Sequence, residues 1–145
     1  MTLKDYIFTS ESVSEGHPDK VCDQISDAIL DAFIANDVKL GHADDSHANT
    51  RLGCETLATT NKIVIAGEGR ASAPYMRKYG NHTIVNREAL TEIAREVVRD
   101  IGYDQDGFSF HGADVEVLLH GQSPDIAMGV DAKKKGGNLG EQEGA

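Results

Sequence analysis

The segment Ser14-Glu-Gly-His-Pro-Asp-Lys20 places a histidine, a carboxylate and an ammonium within four positions, His17 to Lys20, directly behind Gly16. Pro18 suits the first turn of a helix, where its missing N–H has no intrahelical partner to lose. The free amides and positive dipole end of such a turn attract anions, Gly16 lets a ligand approach the backbone, and His17 and Lys20 add donors. Asp19 would repel a bare phosphate. It fits if Mg²⁺ lies between them, because that ion is commonly held by one or two carboxylates and bridges phosphate oxygens. On that reading the segment would bind a metal-polyphosphate. The same residues also read as a plain helix entrance, with Ser14 or Asp19 capping and His17 and Lys20 in water.

A second constellation is Glu55 and Glu68, one on each arm of an expected hairpin around Thr59-Thr60-Asn61-Lys62. A four-residue loop sets them directly opposite each other, a two-residue loop puts them on one face a pair apart, and a three-residue loop turns them to opposite faces. Two of the three registers bring like charges together, which needs a compensating cation such as a metal ion or a substrate ammonium. Two solvated glutamates on an exposed sheet face are the plain alternative. His42, Asp44, Asp45 and His47 in "GHADDSHANT" are metal-ligand types, but their spacing matches no defined site and the stretch reads as a surface loop. Cys22 and Cys54 read as small buried side chains. No phosphate-binding GxxxxGK[ST] loop and no dinucleotide fingerprint is present.

The elements that must position these groups follow from periodicity. Val21, Ile25, Ala28, Ile29, Ala32 and Phe33 predict a helix from about Pro18 to Asn36. Leu90, Ile93, Ala94, Val97, Val98 and Ile101 predict a second, with Asn86 as its cap and Gly102 at its end. "RLGCETLATTNKIVIAGEGRASA" predicts the hairpin, "ADVEVLLHG" a further strand, and "YIFTS" a weaker one near the start. The order strand, helix, hairpin, helix, strand makes the class α+β, a mixed or antiparallel sheet with two helices packed on one face. After Ser123 the chain becomes rich in glycine and charge, which predicts a mobile loop.

At 145 residues with 39% hydrophobic content, one globular domain is the default. A net charge of −10, with Lys133 to Lys135 as the basic run, sets nucleic acid aside as a partner. The first twenty residues carry Asp5, Glu11, Glu15 and Asp19 where a signal core would be apolar, and no stretch is long and apolar enough to span a bilayer. With two cysteines far apart in sequence, the expected compartment is the reducing cytoplasm, with no membrane partner.

"FTSESVSEGHPDKVCDQISDAILDAFI" closely resembles the N-terminal signature of the S-adenosylmethionine synthetase (methionine adenosyltransferase) family, and the likeness continues in order through "CET", "IVIAGEGRASA", "REVVRDIGY" and "GQSPDIAMGVD". It covers nearly the whole chain. The resemblance implies synthesis of S-adenosylmethionine from ATP and L-methionine with Mg²⁺ and K⁺, the triphosphate being expelled and then hydrolysed to pyrophosphate and phosphate. By that likeness His17 is the catalytic and ATP-binding residue at the leaving triphosphate, Asp19 binds Mg²⁺, Glu55 helps bind K⁺, and Glu68 takes the methionine ammonium. Gln122 contacts methionine at the base of a gating loop that continues through Ser123, Pro124, Asp125 and Ile126.

The resemblance further implies that residues 1–122 are one of three similar α+β domains, that 123–145 is the Gly-rich gating loop, and that active sites are shared within a dimer, itself paired into a dimer of dimers. The family's chain is more than twice this long, and Gly144-Ala145 match the first two letters of its "GAGDQG" hexapeptide. The expectation is thus an N-terminal portion, inactive alone. The polar insertion between Gly41 and Thr50 is longer than the shortest versions of the pattern. The alternative from another class is a non-catalytic module that binds a metal-polyphosphate or regulates a full-length enzyme.

Overall fold

A computed structural model describes residues 7–42 and 49–122. The elements are α1 (Pro18–Lys39), β1 (Arg51–Thr59), β2 (Lys62–Arg70), β3 (Met76–Tyr79), β4 (His82–Val85), α2 (Arg87–Ile101), β5 (Asp104–Gln105), β6 (Phe108–Ser109), β7 (Asp114–Val117) and β8 (His120–Gly121). In α1 a strict four-residue step places Val21, Ile25, Ile29 and Phe33 in the core, each at most 1% exposed. The helix runs past the expected Asn36 because its stop signal is Gly41. That residue takes φ 81°, and paired bonds from Gly41 N–H to Val38 O and from His42 N–H to Asp37 O close the end. α2 begins and ends as its sequence predicts: Asn86 Oδ1 accepts from the Ala89 N–H at 3.2 Å, and Gly102 adopts φ 99° with the same paired bonds to Arg99 O and Val98 O.

β1 and β2 pair antiparallel through a two-residue turn, Thr60-Asn61, and β2 pairs in parallel with β7 and then β8, making one mixed sheet. Asn61 holds φ 54°, and its backbone is clasped from two sides: its N–H donates to Gly107 O at 2.6 Å and its carbonyl accepts from the Asp114 N–H at 2.9 Å. Both helices lie on one face of this sheet. Ile63, Ile65, Val117 and Leu119 point inward to meet Val21, Ile25, Leu90, Ala94 and Val98 in a single core. Burying each large side chain contributes about 1.5–3 kcal/mol. No element among the described residues covers the other face, where Leu57 and Leu118 are more than half exposed.

Two sequence expectations are corrected. Ile7 to Ser10 belong to no strand; Ile7 is 94% and Phe8 80% exposed, with no strand alongside among the described residues, and Tyr6 lies outside those residues. A hairpin absent from the expected order, β3–β4, forms beside β8, turning at Gly80-Asn81 with φ 59° at Gly80. A Gly-Asn pair between two short β-favouring runs is the sequence signal for such a turn.

Asp37 continues the buried series of α1 and is 2% exposed. Its Oδ2 accepts from the backbone N–H groups of Asn49 (3.0 Å) and Thr50 (2.8 Å), and its Oδ1 accepts from the Ser72 hydroxyl at 3.3 Å. Burial pushes this carboxyl up, but the donors from Thr50, Asn49 and Ser72 outweigh it and hold it below the ordinary 3.8. Asp37→Ala, which strands two amides, is expected to cost about 2–5 kcal/mol in urea unfolding. The folded state takes up its proton later than the unfolded chain, so the stabilisation is full above about pH 5 and declines as pH falls below the ordinary value toward the depressed one. Asp37→Asn is expected to flatten that acid limb; an unchanged pH–stability slope would remove the carboxylate from this role.

Candidate active site

Ser14 to His17 form a turn in which the His17 N–H donates to Ser14 O at 3.0 Å and Gly16 sits at φ 82°, the positive angle a type II turn needs at its third residue. The capping residue of α1 is neither Ser14 nor Asp19. It is His17, whose Nδ1 accepts from the Asp19 N–H at 3.2 Å. A nitrogen that accepts carries no proton, so the neutral ring keeps its proton on Nε2. The ring is partly exposed and the Asp19 carboxylate largely so, with its Oδ2 3.9 Å from His17 Nδ1. Pro18 has no amide, Asp19's is capped, and Val21's enters the first helical bond to His17 O. The helix entrance thus presents a ring N–H, a free carboxylate and the positive end of α1 on an open surface.

This turn is held from far along the chain. The Tyr103 hydroxyl donates to Gly16 O, and the Tyr103 ring packs edge-on to Phe108 at 5.2 Å. Tyr103 follows the left-handed Gly102, so the end of α2 sets the position of the start of α1. A cleft of about 480 Å³ opens beside it, between Gly16, Pro18 and the β1–β2 turn at Thr59-Thr60. Sequence reasoning missed Tyr103; its signal was an aromatic directly after a helix-ending glycine.

The register pairs Glu55 with Ala66 and Glu68 with Gly53, so the two glutamates share the uncovered sheet face one pair apart. Among the described residues neither has an ion-pair partner, whereas on the same face Lys62 Nζ reaches both Asp114 and Glu116 at 2.7 Å. Gln122 stands at the other end of the sheet, its N–H donating to Gly69 O at 2.7 Å, and its Oε1 is enclosed without a partner among the described residues.

α1 runs antiparallel to β1: Cys22 lies by Ala58, Ser26 bonds Thr56 at 2.8 Å, and Asp37 holds Thr50. His17 and Asp19 therefore lie at the Ala58 end. Glu68 and Gln122 lie at the opposite end, beside Gly53 and Leu52, the partner of Gly69. Six strand residues separate the two, about 20 Å. One chain brings His17 to Asp19 and Glu55 to Glu68, and keeps the first pair away from Gln122.

Ser123 to Ile126 lie outside the described residues, as do Asp44, Asp45 and His47; His42 is placed at the end of α1. Cys22 and Cys54 are free and half-buried, and burial pushes both thiols up, away from the reactive thiolate. Among the described residues no three His, Cys, Asp or Glu side chains gather as a metal cluster, and no helix is long and apolar enough to cross a membrane. Asp19 still fits a Mg²⁺ ion that takes one carboxylate and completes its shell with water and phosphate oxygens, and the unpaired Glu55 offers a carboxylate to a monovalent cation. Tyr103→Phe keeps the ring contact and removes the bond to Gly16; it is expected to lower stability by about 1 kcal/mol and to shift the His17 imidazole resonances in NMR spectra. Unmoved His17 resonances would show that the turn holds without Tyr103.

Comparison with known proteins places this geometry in context. A family model described as the N-terminal domain of S-adenosylmethionine synthetase matches residues 5–124. The chain is 54% identical over 140 residues to S-adenosylmethionine synthase 2 of Rhodopseudomonas palustris and 52% identical over 140 residues to the S-adenosylmethionine synthase of Nitrobacter hamburgensis, covering 97% of this chain in each case. It spans 31% of the length of each of those relatives. A solved structure of an unusual S-adenosylmethionine synthetase from Campylobacter jejuni superposes with a TM-score of 0.55 at 29% identity, over 77% of this chain and 26% of that one. With its helix entrance, one-sided α+β sheet and these relatives in agreement, the chain belongs to the S-adenosylmethionine synthetase family, whose N-terminal domain it matches.

Proposed function

We propose that this chain supplies the N-terminal part of an enzyme that makes S-adenosylmethionine from ATP and L-methionine, with release of phosphate and pyrophosphate. The observation that carries the reading is His17, whose Nδ1 is committed to the helix cap and whose Nε2–H is left as a donor at the positive end of α1. The methionine sulfur bonds to C5′ of the ribose while the C5′–oxygen bond breaks, and negative charge grows on the departing triphosphate. A fixed donor at that oxygen stabilises the transition state more than the ground state. Asp19 would hold Mg²⁺ there and Glu55 would help hold K⁺; the bound cations supply charge neutralisation for the polyphosphate. Glu68 would take the methionine ammonium and Gln122 would contact methionine, at the base of a gating loop formed by Ser123, Pro124, Asp125 and Ile126.

The separation of about 20 Å between His17 and Gln122 favours a site assembled from two copies, each giving one end of its sheet. The uncovered face, apolar at Leu57, Val64, Ala66 and Leu118 and ringed by carboxylates, is the surface we assign to that second copy, with two such dimers pairing in the full assembly. Two free thiols accord with a reducing cytoplasm.

The purified 145-residue chain is expected to make no detectable S-adenosylmethionine from ATP, methionine, Mg²⁺ and K⁺, and product above background would overturn the shared-site reading. In the full-length enzyme, His17→Asn is expected to lower turnover about a hundredfold or more with little change in ATP affinity. An unchanged kcat would remove His17 from the leaving group.

A further inference from the structure

A second concavity, about 910 Å³, lies between the β3–β4 hairpin and the ends of β2 and β8. In a chain of net charge −10, its lining among the described residues contains Arg70, Arg77, Lys78, His82 and His120 and no carboxylate. Buried Met76 and Ala71 form its floor, so the cations stand on its walls and rim. Concentrating one sign of charge in a concave, partly apolar site focuses the field there against the overall charge.

The walls are fixed. Thr83 of β4 lies so close to Gly121 of β8 that any side chain at Gly121 would strike it, which fastens the hairpin to the sheet. Arg70 Nε donates to Asn49 O at 3.2 Å, which orients its guanidinium from the opposite wall. Glu68, in register with His120, lies outside the lining. Gln122 also borders the cleft, with its Oε1 enclosed beneath the surface and without a partner among the described residues.

We infer that this cleft is a binding site for a small di- or triphosphate anion, free or esterified to a nucleoside, distinct from the His17–Asp19 entrance. Arginine forks and a lysine point charge are the side chains that recognise phosphate oxygens. With cations and no carboxylate among the described lining residues, the cleft accepts the anion without a metal ion, and Mg²⁺ bound to the ligand weakens the attraction by removing its charge. That dependence is the reverse of the one Asp19 imposes at the helix entrance.

The test is calorimetric titration of the 145-residue chain with inorganic pyrophosphate and with ADP, at low salt in EDTA and again with Mg²⁺. One site per chain is expected, occupied in EDTA at sub-millimolar ligand, weakened by Mg²⁺ and by added salt. Lys78→Glu is expected to weaken it at least tenfold and Lys78→Gln severalfold, while His17→Asn and the equal charge change Arg99→Glu, on exposed α2 surface, alter it less than twofold. Thermal melts confirm that each variant is folded, with the Lys78→Gln result deciding if Lys78→Glu is not. Tighter binding of ADP than of pyrophosphate supports a nucleoside-bearing ligand. No heat in EDTA, equal losses from Lys78→Glu and Arg99→Glu, or binding that requires Mg²⁺ and disappears with His17→Asn would each overturn the assignment.

Discussion

One sheet with helices on a single face is the constraint from which the rest follows. α1 and α2 commit their apolar stripes to the inward side chains of β2 and β7, which read as Ile and Val, while β1 turns the smaller Cys54, Thr56 and Ala58 with Leu52 toward α1. The alternate positions are released from the core, and there the chain puts Glu55, Glu68, Lys62, Asp114 and Glu116 beside Leu57 and Leu118. A strand cannot slip by one residue without exchanging these two sets, so the pairing that buries the core also fixes which carboxylates share a face.

The helix direction then decides which groups can meet. Because α1 lies antiparallel to β1, its N-terminus, with His17 and Asp19, is held near the β1–β2 turn, and its C-terminus near the start of β1. Polar bonds over long sequence distances fix both ends: Tyr103 to Gly16 at one, and Asp37 to Asn49, Thr50 and Ser72 at the other. Each replaces water around a buried or half-buried polar group, and each would leave that group stranded if its partner were lost. The His17 cap is local, but the turn that aims it is not.

Both helices were legible in the sequence because their stripes, caps and terminal glycines agree, and the β1–β2 hairpin because two β-favouring runs flank Thr60-Asn61. The β3–β4 hairpin was harder to see, since only Met76 and Val85 turn inward and no alternating apolar run announces it. "YIFTS" has strand-like residues, yet Ile7 and Phe8 find no sheet to join among the described residues. His17 as a cap is not an ordinary choice, because its acceptor is a ring nitrogen and the usual caps are hydroxyls or carboxylates. The residue types of the candidate site were readable one by one. Their division between two ends of the sheet was not, because it depends on the direction of α1 over β1, which no spacing encodes.

The clasp on Asn61 bears on the order in which the fold is completed. A two-residue hairpin turn is usually finished by neighbours in sequence, but here both backbone groups of Asn61 wait for Gly107 and Asp114, which lie beyond α2. On a ribosome, β1 and β2 emerge and can pair well before those residues exist. The tip of the hairpin therefore stays bonded to water until α2 has docked and β7 has aligned, and the last contacts of an early element are made late.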